Sequence, residues 1–129
     1  MTVSNVRLRR AYDEPDPNDG RRVLVDRVWP RGRTKKDLRL DAWERDLGPS
    51  TKLRKWFGHD PERWEEFQAR YHLELARPDQ AQTLDELAAA AQLGLLTLVY
   101  GARDREHNQA LVIADEIERR LAPTPKSGP

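Results

Sequence analysis

Two short stretches of this chain carry residue types that chemistry needs. The first is Val23-Leu24-Val25-Asp26-Arg27-Val28-Trp29-Pro30-Arg31-Gly32-Arg33, an apolar run that ends in Asp-Arg with two more arginines just beyond. The second is Arg103-Asp104-Arg105-Glu106-His107-Asn108, which follows the apolar run 95–100. Ligands of open α/β sheets bind beyond the carboxyl ends of the strands. A guanidinium there offers a planar fork of donors that matches a carboxylate or a phosphate. Arg27, Arg31 and Arg103 are therefore candidate anion contacts. Asn108 is either a further contact or the cap of the helix that follows, and the free N–H groups of that helix favour an anion too. If the two strands are parallel neighbours, both loops converge on one basic pocket. The competing reading is that Asp26 and the arginines tie loops to the sheet edge.

Histidine and carboxylate side chains are common acid–base groups, so His107 and Asp26 are the proton-transfer candidates if the chain is an enzyme. Asp13 and Asp26 could be paired carboxylates, although nothing in their spacing requires it. Trp29 lies inside the arginine loop and either packs in the core or stacks on a planar ligand or base. Trp43, Trp56 and Trp64 read as core. Arg33, Lys35 and Lys36 read as a solvated run. His59 reads as a loop residue, and His72 lies beside the apolar face of a helix. Three scattered histidines give no zinc spacing, so no metal is expected. No glycine-rich phosphate loop, dinucleotide fingerprint or Gly-x-Ser-x-Gly elbow is present, and no cofactor is expected.

Composition narrows the classes. A length of 129 residues predicts one domain able to bury a core without staples. Lys+Arg total 23 against 22 Asp+Glu, a net charge of +1 that disfavours a general polyanion binder. There are no cysteines, which excludes disulfides and thiolate nucleophiles and fits a reducing cytoplasm. The first residues lack a signal pattern, and no apolar run approaches the roughly 20 residues that cross a bilayer. A cytoplasmic, non-membrane location is the expectation.

The elements that must position these residues follow from periodicity. Residues 6–12 alternate as a half-buried strand. A Pro- and Asp-Gly-rich loop follows, too short for a helical crossover, so strands one and two are either antiparallel neighbours or separated in the sheet. Residues 22–29 read as strand two, and 34–40 as charged and irregular. Asp41-Ala42-Trp43-Glu44 resembles a capping box that opens a short helix stopped by Gly48-Pro49. Ser50 or Thr51 caps another short helix bearing Leu53, Trp56 and Phe57, with Gly58 at its end. Asp60-Pro61-Glu62 opens a helix along Trp64, Phe67, Tyr71 and Leu75. Thr83-Leu84-Asp85-Glu86 reads as one more capping box, ahead of a stripe of Leu84, Leu87, Ala88 and Ala91 closed by Gly94. Residues 95–100 are nearly all apolar, as in a strand covered on both faces. Ala110, Ala114, Ile117 and Leu121 form the last amphipathic helix. Residues 1–122 are expected to form the domain and 123–129 a disordered tail.

Arg10-Ala11-Tyr12-Asp13, Asp19-Gly20 and Val25-Asp26-Arg27-Val28-Trp29-Pro30-Arg31-Gly32 resemble the YeaO-like proteins of domain-of-unknown-function family 488. So do Ser50-Thr51-Lys52-Leu53-Arg54 and the stretch from Leu98-Val99-Tyr100-Gly101-Ala102 to Asn108-Gln109-Ala110. The likeness runs in register over about 6–121. It implies a compact α/β domain of bacterial cytoplasmic proteins, and it supplies no reaction. Asp26, Arg27, Trp29, Pro30, Arg31 and Gly32 correspond to the family's signature. More distant relatives carry a Cys and a Cys-His-Arg near the final strand and helix. Here the matching positions hold Gly101-Ala102 and His107-Asn108-Gln109, so thiol chemistry is excluded.

The expected architecture is a single α/β domain with a small central sheet, mixed or parallel, flanked by helices. The leading functional expectation is a small-anion or phosphorylated-ligand pocket at the strand ends, built from Arg27, Arg31, Arg103, Asn108 and Trp29. The first rival is a nucleic-acid-binding module with Arg31, Arg33, Lys35 and Lys36 on phosphates and Trp29 on a base, which the near-zero net charge disfavours. The second is a plain interaction or structural domain whose arginines hold its own loops.

Overall fold

Four strands in the order β1-β4-β2-β3 form the sheet of the computed structural model, which describes residues 5–121. They are β1 (Val6–Arg10), β2 (Arg21–Leu24), β3 (Ala42–Trp43) and β4 (Leu96–Tyr100), and every pairing is parallel. Leu8 and Val23 both stand beside Leu98, so β4 is the strand that separates β1 from β2. Of the two arrangements open for the first strands, separation is the one adopted. The expected tail falls outside the described residues.

β4 is buried along its whole length, as its apolar run predicts. Leu96, Leu98 and Tyr100 face the larger core, with Val23, Phe67, Tyr71, Leu84, Ile113 and Ile117. Helices α3 (Trp64–Leu75), α4 (Pro78–Leu93) and α5 (Gln109–Leu121) supply the other side of that core. The opposite face is closed differently. Val99 and Leu24 pack with Ala11 and Leu38, and Trp29, Leu40 and Trp43 lean on them. Most of that cover comes from the segment between β2 and β3, whose helix is the one-turn α1 (Lys35–Leu38), with Ala11 added from the turn after β1. The flanking is thus helical on one face and mostly loop on the other.

Several local expectations meet stronger tertiary competitors. Strand two is shorter than the apolar run: pairing ends one residue past Leu24, where the Val25 amide donates to the Val99 carbonyl at 3.0 Å. Asp41 to Glu44 does not cap a helix. The Asp41 carboxylate accepts from the Arg22 amide at 2.8 Å, and Ala42–Trp43 joins β2 as the edge strand β3, followed by a 3-10 turn at Arg45–Leu47. The charged linker holds a true capping box instead, with Thr34 and Asp37 exchanging backbone and side-chain bonds around α1. Thr83 does not open a helix either. Helix α4 already begins at Pro78, and the Thr83 hydroxyl donates back to the Asp79 carbonyl. The expected stripe on α4 is buried as read. Ser50 caps α2 (Thr51–Phe57), and Gly58 ends it in the left-handed region at φ 53°. Asp60 caps the 3-10 turn Pro61–Arg63 that leads into α3.

The loop between β1 and β2 is fastened by an ion cluster. Asp19 is fully buried, at 2.5 Å from Arg22 and 3.0 Å from Arg7. Burial raises its pKa, but the Asp16 amide, Arg22 and Arg7 outweigh that and hold it below the usual carboxylate value. Gly20 must be glycine: its φ is 66°, and a Cβ would stand 2.3 Å from the Leu95 carbonyl oxygen.

Candidate functional site

A cavity of about 250 Å³ opens beyond the carboxyl ends of β2 and β4. Because the two strands are parallel neighbours, the loop 25–33 and the loop 101–108 meet there, joined by α2 and the start of α5. Pro30, Pro49, Phe57 and Phe67 form apolar walls, and the two phenyl rings stack at 4.3 Å.

Asp26 is the inner polar group. Its Oδ2 accepts from the Gly101 amide at 2.8 Å, and its Oδ1 accepts from the Gln109 amide nitrogen. Desolvation pushes its pKa up to about 6, only partly opposed by the Gly101 amide, Gln109 and the charge of Arg54. Its own carbonyl accepts from the Trp43 indole at 2.7 Å, which pins the chain where strand two ends. Asp13 is not its partner. Asp13 binds Arg105 through both oxygens, at 2.8 and 3.0 Å, and that bond lowers its pKa to about 2.

The arginines divide by what their guanidinium groups touch. Arg27 lines the cavity, yet its Nε donates to the Pro49 carbonyl at 2.9 Å and its Nη2 to the Gly48 carbonyl at 2.8 Å. It clasps the loop before α2. Arg31 is exposed at the cavity, and its side chain makes no hydrogen bond or ion pair among the described residues. Arg103 is exposed and does not line the cavity. Arg54, on α2, does line it, with its guanidinium likewise free of hydrogen bonds and ion pairs among the described residues. Arg33 donates to the Ala11 carbonyl at 3.0 Å, so it braces the fold.

Asn108 is the helix cap. Its Oδ1 accepts from the Ala110 amide at 3.0 Å and its Nδ2 donates to the Asp104 carbonyl at 2.9 Å. It is buried and borders the cavity. His107 also lines the cavity, with Nδ1 at 2.8 Å from Asp104 Oδ2 and its ring edge-on to Trp64 at 5.4 Å. The pairing with Asp104 fixes the ring and leaves Nε2 without a hydrogen-bond partner among the described residues. Trp29 borders the cavity, but its indole donates to the Arg33 carbonyl at 2.6 Å and its ring meets Trp43 edge-on at 5.2 Å. It is committed to packing on both counts.

Arg54, Gln109 and His59 reach the cavity without having been singled out from the sequence as contacts. Arg54 has a legible signal. Helix α2, Thr-Lys-Leu-Arg-Lys-Trp-Phe, carries three cations and no acid. Gln109 has none, because its partner lies 83 residues away. Among the described residues, no group of three or more His, Asp or Glu side chains could hold a metal ion, and no helix is long and apolar enough to cross a membrane.

Comparison with known proteins places the chain. The uncharacterised protein YeaO of Escherichia coli is 43% identical over 111 residues, 86% of this chain and 95% of that protein. An uncharacterised protein of Mycobacterium tuberculosis is 40% identical over 117 residues, 91% of this chain and 97% of that one. No solved structure matches. The family model described as the inactive DUF488-N3 subclade matches residues 5–128. The chain belongs to the YeaO-like DUF488 family, in the subclade so described.

Proposed function

We propose that the chain binds a small anionic or phosphorylated ligand in the cavity at the ends of β2 and β4, without turning it over. One observation carries this reading. Arg31 and Arg54 both border the cavity, and neither guanidinium makes a hydrogen bond or ion pair with the described residues. A guanidinium without an internal partner at the rim of a cavity is a ready oxyanion contact, since its planar fork of donors matches a carboxylate or a phosphate. Binding without turnover accords with the description of the subclade as inactive. In this reading Arg31 and Arg54 make the ligand contacts, Arg27 and Asn108 shape the wall, and Arg103 has no part. His107 and Asp26 border the ligand.

The rival nucleic-acid reading, with Arg31, Arg33, Lys35 and Lys36 on phosphates and Trp29 on a base, draws less support, since Trp29 and Arg33 are spent on internal bonds. The reading as a plain structural domain fits Arg27 and Arg33 but leaves Arg31 and Arg54 unexplained.

Thermal unfolding in sulfate and in inorganic phosphate tests the proposal. An anion at 100 times its dissociation constant adds about 2.7 kcal/mol of stability. The gain should disappear in the double variant Arg31→Ala, Arg54→Ala. Unfolding indifferent to both anions would sink it.

A further inference from the structure

The cavity is polar at two places of opposite kind, and this goes a step beyond the anion site on which it rests. At the inner place are acceptors. Asp26 Oδ1 and Oδ2 each accept one internal bond, from Gln109 and Gly101, and a carboxylate oxygen has room for a second. The Gln109 amide donates through Nε2, which leaves its carbonyl oxygen as another acceptor beside Asp26. Position 101 carries no side chain, and a Cβ there would stand 2.8 Å from Asp26 Oδ2, so glycine keeps the approach to the carboxylate clear. At the outer place are the exposed cations Arg31 and Arg54, next to Lys52 and Lys55 on the acid-free helix α2. The same cavity is lined by the apolar surfaces of Pro30, Pro49 and Phe57.

We infer that the ligand is a nucleoside monophosphate with a guanine-type base. The ring slides between the apolar walls, its adjacent N–H and amino donors meet Asp26 and Gln109, and its phosphate meets Arg31 and Arg54. A bare anion would gain nothing from a carboxylate in the same cavity, whereas a ligand with donors at one end and charge at the other uses both places. Guanine presents two neighbouring donors on one edge. Adenine pairs a donor with an acceptor there, which would face the acceptors of the site. The size limits the ligand: about 250 Å³ lies just below the roughly 300–1,000 Å³ of most ligand sites and is too small for a dinucleotide.

Calorimetric titration at pH 8 with GMP, IMP, AMP and inorganic phosphate tests this. GMP should bind about tenfold or more tightly than phosphate or AMP, from charge-assisted bonds to the base. IMP, which lacks the amino group, should fall between. Asp26→Asn keeps the shape but turns a donor toward the base, so the preference of GMP over AMP should collapse. Phosphate that binds as well as GMP, or AMP equal to GMP, would overturn the nucleotide inference while leaving the anion site standing. Failure of every probe would remove both. A GMP preference that survives intact in Asp26→Asn would also overturn it.

Discussion

The carboxylate of Asp26 and the amide of Gly101 meet at 2.8 Å across 75 residues of sequence. The bond ties the end of β2 to the end of β4, and it holds a carboxylate in the cavity wall where desolvation opposes its charge. Two consequences can be measured directly.

Gly101→Ala should cost about 1–2 kcal/mol in urea unfolding, since the new methyl meets Asp26 Oδ2 at 2.8 Å and must displace it. The same variant should move the Asp26 pKa, read by carboxyl NMR, because the geometry of the Gly101 bond changes. An Asp26 pKa that stays near 6 would show that the bond is not what positions the group.

Asp26→Asn should stabilise the protein at neutral pH. The folded pKa of about 6 lies above the ordinary value of 3.8, so folding favours the protonated acid. Asp26 therefore adds stability below about pH 4 that is lost as pH rises through 6. The asparagine variant should gain about 1–2 kcal/mol over the wild type at pH 8, allowing for solvent screening, and little or nothing at about pH 3. Urea unfolding at the two pH values checks this, and equal differences at both would contradict it.

Arg27 and Arg31 should separate cleanly. Arg27→Ala removes two charge-assisted bonds to the Gly48 and Pro49 carbonyls and should cost about 2 kcal/mol. Arg31→Ala removes no side-chain bond to the described residues and should change stability by less than about 0.5 kcal/mol while weakening anion binding. Paired denaturation curves settle the contrast.

Asp19→Ala should be severe. It strips the carboxylate from Arg22, which is almost fully buried and whose Nη2 already lacks a hydrogen-bond partner among the described residues. Leaving that charge uncompensated costs about 3–5 kcal/mol. Arg22→Met together with Asp19→Leu should recover part of the loss, because the uncompensated charge goes with its partner. Circular dichroism melts of the single and double variants give the comparison.

Asn108→Ala should cost about 1–2 kcal/mol through loss of the α5 cap and the bond to the Asp104 carbonyl. Thermal melts measure it, and a change confined to ligand affinity would contradict the capping role.

The sequence by itself determined the α/β class, the central buried strand and helices α2, α3 and α5. These rest on apolar periodicity and on caps such as Ser50 and Asp60, whose partners lie within a few residues. It also named two loops that would meet if their strands paired in parallel, a condition that only the fold supplied. Capping boxes tell the other half. The stretch that reads as irregular holds one at Thr34 and Asp37, whereas of the two expected from the sequence, Asp41 bonds to the Arg22 amide and Thr83 lies inside a helix that Pro78 had already opened. Local chemistry offers the bond, and long-range packing decides who takes it. The same holds for the arginines. Arg27 found the carbonyls of Gly48 and Pro49, 21 and 22 residues on, while Arg54 arrived at the cavity on α2. A guanidinium is equally ready for a carbonyl, a carboxylate or a ligand. Only the tertiary structure, by setting which acceptors come within reach, decided which arginines hold the fold and which stay free.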